Sequence, residues 1–155
     1  MTDLLKLTQP DPVDWCEANI QFDYGAFDRR KHPLLVEPLR ASAQMRGGVV
    51  GILGSVQHIK TLCAQLLQLY RAQTAPTRQA HYDLTKDTIK EFSEDKFQQL
   101  IKNQKAVMDL IPDERDAQTT FYSEMPFGFI RVASAGILAN RNSKTYEFIS
   151  ADESW

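Results

Sequence analysis

The sequence predicts a mainly α fold: a helical bundle of three to four helices with one long central helix and a small C-terminal β or irregular segment. The alternative is α+β with a C-terminal hairpin. Three observations carry this. Val49, Leu53, Val56, Ile59, Cys63, Leu66, Leu67 and Tyr70 recur at the three-and-four stepping of one helix face. Phe97, Leu100, Ile101, Val107, Met108 and Ile111 do the same further on, and Pro112 ends the run. After Phe121 the Ala and Ser content favours a short helix, and residues 144–150 alternate as a strand.

Residues 1–33 read as an irregular, acidic, aromatic-rich segment, and residues 34–155 as a single helical domain. Pro10, Pro12 and Pro33 punctuate the first part, and Asp23, Gly25 and Asp28 suit turns. Trp15, Ile20, Phe22, Tyr24 and Phe27 are too apolar for a solvated tail, so they lie along the domain or along another protein. Glu37-Pro38 is a helix start, since proline is tolerated at the first helical position. The helix from there runs to Thr74-Ala75-Pro76, about 50 Å at 1.5 Å per residue, either as a straight rod or with a kink near Gly47-Gly48. A second helix is expected over 77–92, with Tyr82, Ile89 and Phe92 inward. Ser93-Glu94-Asp95 caps a third. After Phe121 the segment 125–142 fits a short helix or two strands. Residues 144–150 alternate as a strand.

The 155 residues fit one domain, and 43% hydrophobic with 25% charged residues is ordinary for a globular chain. Cys16 and Cys63 are too few for a disulfide framework, which suits a reducing cytosol. The N-terminus lacks the pattern of a signal peptide. The longest nearly uncharged apolar run, Gly47–Ile59, is far short of the roughly 20 residues that span a bilayer. The expectation is a cytoplasmic protein without a membrane span.

The net charge of −2 hides a partition. Residues 1–28 hold six acids and one base, whereas residues 29–90 hold ten bases against three acids. Either an anionic partner meets the basic stretch, or the acidic start folds back over it. Arg29, Arg30, Lys31, Arg46, Lys60 and Arg71 are the candidate anion contacts. On one continuous helix, Arg46, Lys60 and Arg71 would fall within about 40° of one another.

Motifs for chemistry are sparse. Counted from Gly48, a phosphate loop of the form GxxxxGK[ST] meets Leu53 where its second glycine belongs, and Gly54 is followed by Ser55. A dinucleotide fingerprint lacks its first GxG step. His32, His58 and His81 stand 26 and 23 residues apart, without the three- or four-residue spacing of paired metal ligands. No nucleophile elbow is present. Glu124 and Glu147 are isolated carboxylates. No catalytic residue, cofactor or metal is therefore expected.

What remains is interaction. From Gly47 to Leu53 every residue is apolar or glycine, and a helix apolar all round must be covered on all sides. Gly47, Val50, Gly51 and Leu53 are the expected helix-packing contacts to a partner. The function expected is a non-catalytic interaction module: an adaptor, assembly factor or complex subunit that meets another protein or a second copy. Two alternatives stand beside it. One is a small-ligand or metal-binding enzyme with a site assembled from scattered His, Glu and Tyr. The other is polyanion or nucleic-acid binding through residues 29–90.

Overall fold

The computed structural model describes residues 9–45, 47–52, 57–83, 85–114, 116–137 and 145–151. Helix α1, Pro12–Asn19, is capped by Asp11, whose carboxylate accepts from the N–H groups of Val13 and Asp14 at 2.9 and 3.2 Å. A two-residue hairpin follows, β1 (Gln21–Phe22) with β2 (Gly25–Ala26), turned by Gly25 at φ +130°. Then come α2, Pro33–Gln44, with Pro33 in its first turn, and α3, Gln57–Thr74. Strand β3 is Arg78–Asp83, and α4, Lys86–Glu91, starts at a Thr85–Thr88 capping box. A π-helical turn, Phe92–Phe97, leads into α5, Gln98–Asn103, and a last turn, α6, Lys105–Met108. Strands β4 (Gln118–Thr119), β5 (Tyr122–Met125), β6 (Gly128–Ser134) and β7 (Phe148–Ala151) complete the chain.

The fold is therefore not a mainly α bundle. It is an α/β mixture built on a five-stranded mixed sheet of order β4-β5-β6-β3-β7, with the β1–β2 hairpin apart. Strands β4, β5 and β6 form an antiparallel meander, whereas β3 runs parallel to both β6 and β7. The long central helix expected over 38–73 is two helices. The described part of the segment between them is not helical, and Gly47 there takes φ +71°. The helix expected over 77–92 opens as β3. The segment after Phe121 holds the β5–β6 hairpin rather than a short helix.

Strand β3 escaped the pattern because its interior is polar. Parallel strands usually read as apolar runs, yet Gln79, Ala80 and His81 are all completely buried. Gln79 Nε2 donates to the Gln68 carbonyl of α3 at 3.2 Å. The His81 ring stacks on Phe92 with centroids 4.0 Å apart, and its Nδ1 lies 2.8 Å from Ser150 Oγ on β7. Register explains that contact, since His81 stands opposite Ser150. Ile130 and Val132 of β6 are buried on the same side. On the other side Tyr82, Phe129 and Tyr146 meet edge to face, with centroids 6.1–6.3 Å apart.

Helix α3 is the organising element. Its face Cys63, Leu66, Leu67 and Tyr70 is buried, as its spacing predicts. The aromatic N-terminal segment lies along this helix. Trp15 packs edge-on against Tyr70 at 5.7 Å and hydrogen-bonds Gln73, and the Tyr70 hydroxyl donates to the Pro10 carbonyl at 2.8 Å. Val13, Trp15, Cys16, Ile20, Phe22 and Phe27 belong to the same core as Leu66 and Ile101. Cys16 and Cys63 are both free, and burial pushes each thiol up to about 12.

Candidate functional site

Only three residues, 75–77, join α3 to β3, so the strand must double back along the helix. The Gln79–Gln68 hydrogen bond fixes how far. From Gln68 back to Lys60 the helix rises about 12 Å at 1.5 Å per residue. From Gln79 on to Asp83 the strand covers about 13 Å at 3.3 Å per residue. Laid back along the strand, the first described turns of α3 would come level with the carboxyl end of β3. Because β3, β6 and β7 are parallel, Asp83, Ser134 and Ala151 end at that same edge. The Ala135 N–H donates to the Asp83 carbonyl at 2.8 Å, and Ser134 Oγ accepts from the Gly136 N–H at 3.2 Å. In open α/β sheets, ligands bind outside the carboxyl ends of the strands. A helix starting there adds free N–H groups and a positive dipole end.

The sequence at this edge reads differently once α3 is known to begin by Gln57. Counted from Gly54 instead of Gly48, residues 54–61 are GSVQHIKT. This is GxxxxGK[ST] at three of its four fixed positions: Gly54, Lys60 and Thr61. Ile59 stands where the second glycine belongs. Lys60 and Thr61 lie near the helix start, both half-buried, and Lys60 makes no ion pair among the described residues. Strand β7 runs straight into Asp152-Glu153 in the sequence. Gly54 and the Asp152-Glu153 pair lie outside the described residues.

The sequence profile described as phage terminase large subunit gpA, ATPase domain, matches residues 22–154, most of the chain. The chain belongs to this terminase family. The match takes in both the GSVQHIKT segment and Asp152-Glu153. No curated protein and no solved structure matches the chain.

Of the expected helix-packing contacts, Gly47, Val50 and Gly51 are not on a helix: Gly47 and Gly51 have open space where a Cβ would be built, Val50 is half-buried and its neighbour Val49 is 92% exposed. Leu53 and Arg46 lie outside the described residues. Arg29 and Arg30 of the basic cluster are drawn into pairs with the acidic N-terminal segment. Arg29 bridges Asp14 and Glu17, and Arg30 pairs with Asp28 at 3.0 Å. Arg40 joins Asp11 at 2.8 Å. Hydrogen bonds from Arg29 hold the Glu17 carboxyl below its usual value, and those from Arg30 do the same for Asp28. A surface cavity of about 560 Å³ lies on this cluster, lined by Glu17, Ala26, Phe27 and residues 28–31. Arg71 is turned inward, its guanidinium 4.7 Å over the Phe148 ring, and burial pulls its pKa down. Of the expected anion contacts, Lys60 alone sits at the start of α3.

His32 and His81 do not come together. His32 stacks on Phe27 and His81 on Phe92, in different parts of the fold. Among the described residues no group of three His, Cys, Asp or Glu is placed to hold a metal ion. Glu147 pairs with Arg78 at 2.9 Å, whose hydrogen bonds hold its carboxyl down. Among the described residues no helix is long and apolar enough to cross a membrane.

Proposed function

We propose that the chain is the nucleotide-binding part of a phage terminase large subunit, a component of a DNA-packaging complex that works with other proteins and nucleic acid. The observation that carries the reading is the coincidence of three features. The family match is to an ATPase domain. Lys60 and Thr61 lie in the first described turns of α3, and β3, β6 and β7 run parallel. An Asp-Glu pair follows the last of those strands.

Each residue type suits its part. In this reading the Lys60 ammonium would pair with the β- and γ-phosphates as a point charge, as the lysine of a phosphate loop does. The Thr61 hydroxyl and the Asp152 carboxylate are hard oxygen donors of the kind that hold Mg²⁺ in such sites. Bound there, Mg²⁺ would neutralise charge developing on the phosphates. Glu153, the next carboxylate, is the candidate to take a proton from an attacking water.

The test is titration of the whole chain with a fluorescent ATP analogue in Mg²⁺. Saturable binding that Lys60→Ala weakens at least tenfold is the expected result. Binding indifferent to Lys60, or none by any variant, would sink the reading. The Ile59 departure favours a second reading, a terminase subunit that holds nucleotide poorly and serves mainly as a partner-binding module.

A further inference from the structure

We propose that Phe127 is a docking knob that enters the cavity beside Phe27 on a second copy of this chain, joining the copies head to tail. The β5–β6 hairpin pairs Met125 with Gly128, so Pro126 and Phe127 are its two turn residues. The proline ring sets φ to about −65°, and Phe127 takes φ +65°. That combination belongs to a type II turn, whose second central place asks for glycine. Phe127 is also 93% exposed there. The strained backbone and the uncovered ring both work against the isolated fold, and a glycine would remove both. Such strain clusters at functional positions, and aromatic side chains are the usual anchors of protein interfaces.

The same molecule carries a receptor of matching character. The cavity of about 560 Å³ before α2 is lined by Ala26 and Phe27 together with Arg29, Arg30 and Lys31, and its volume is that of a ligand cleft. Its two acids, Glu17 and Asp28, are already engaged by Arg29 and Arg30. Lys31 is exposed and makes no ion pair among the described residues. The hairpin carries the opposite charge. Glu124, just before its turn, is exposed and likewise unpaired among the described residues, and residues 122–128 hold no base. A ring seated in the cavity would meet guanidinium groups that attract its face, with Glu124 brought up to Lys31. A knob and a cavity at different places on one chain make a heterologous contact, which closes into a ring or runs on as an open chain. Phe127 precedes the first residue of β6, and Ser134 ends that strand about 20 Å away. The contact is therefore separate from the carboxyl edge and does not depend on the nucleotide reading.

Sedimentation velocity over a concentration series compares wild type, Phe127→Gly and Arg30→Glu/Lys31→Glu, with circular dichroism as the check of folding. Wild type should self-associate, and each variant should weaken association at least tenfold, Phe127→Gly without loss of thermal stability. The decisive arm is an equimolar mixture of the two variants. One keeps the cavity and the other keeps the knob, so the mixture should form a dimer that neither forms alone. Wild type that stays monomeric throughout overturns the proposal, even if Phe127 binds a different protein. Association of Phe127→Gly within twofold of wild type overturns it too. A mixture no larger than its components refutes the head-to-tail seating. Should the double variant not fold, Lys31→Glu alone takes its place on the same criteria.

Discussion

The turn from α3 into the sheet can be tested at one atom. Gly128 opens β6, and a Cβ built on it would lie 2.4 Å from the Thr77 carbonyl oxygen, 2.7 Å from its carbon and 2.9 Å from the Thr77 nitrogen. All three are main-chain atoms, so no rotamer change relieves the clash. Gly128→Ala must push β6 away from the α3–β3 connection by about 1 Å to regain ordinary contact. Overpacking of this kind costs about 1–3 kcal/mol. The same movement breaks the Phe129 N–H to Thr77 carbonyl bond, now 3.3 Å, which adds about 1 kcal/mol. Alanine's smaller unfolded-state freedom returns about 0.4–1 kcal/mol. The net expectation is a loss of about 2–3 kcal/mol, or about 4–12 °C in Tm for a domain of this size. Urea unfolding followed by circular dichroism measures it. A loss below about 0.5 kcal/mol would mean that β6 and Thr77 are not packed as described.

Two further substitutions probe local terms. Phe127 is 93% exposed in the β5–β6 turn and takes φ +65°, a conformation costing a side-chain-bearing residue about 1–2 kcal/mol. Phe127→Gly should therefore raise stability by about 0.5–1 kcal/mol after its greater unfolded freedom is counted; a lower Tm would contradict the turn geometry. For Asp11, burial raises the carboxyl pKa, but the Arg40 hydrogen bond and the N–H groups of Asp14 and Val13 outweigh it and leave it below the usual 3.8. Its charge therefore stabilises the fold above pH 3.8, and that contribution is lost as pH falls further. Asp11→Ala should cost about 1–2 kcal/mol at neutral pH as the cap is removed. Asp11→Asn should retain most of the cap, and its difference from wild type should close in acid unfolding below pH 3.8.

Where apolar spacing alone builds the element, the sequence was legible. The Cys63–Tyr70 face of α3 is buried, as are Phe97, Leu100, Ile101 and Val107. The sheet was hidden for two reasons. Buried β3 is held by Gln79 and His81, whose partners lie on α3, the π-helical turn and β7, so no apolar signal marks it. Its neighbours β6 and β7 are remote in sequence, and local periodicity does not see such pairing. The all-apolar Gly47–Leu53 run looked like a covered helix, yet Val49 stands in solvent. The phosphate-loop pattern was within reach. Starting the count at Gly54 finds Lys60 and Thr61 at once, and only Ile59 obscures the match. The Asp152-Glu153 pair acquires meaning only when β7 is recognised as a strand parallel to β3.

The parallel pairing of β3 also dictates a timetable. Phe148 enters the chain 65 residues after Asp83. At about 5–20 residues per second of synthesis, β3 waits roughly 3–13 s for β7 to be made. During that wait His81 lacks Ser150, and the edge of β3 that will receive β7 offers its main-chain groups to any other extended segment nearby. The vulnerable moment of this chain falls during its own translation.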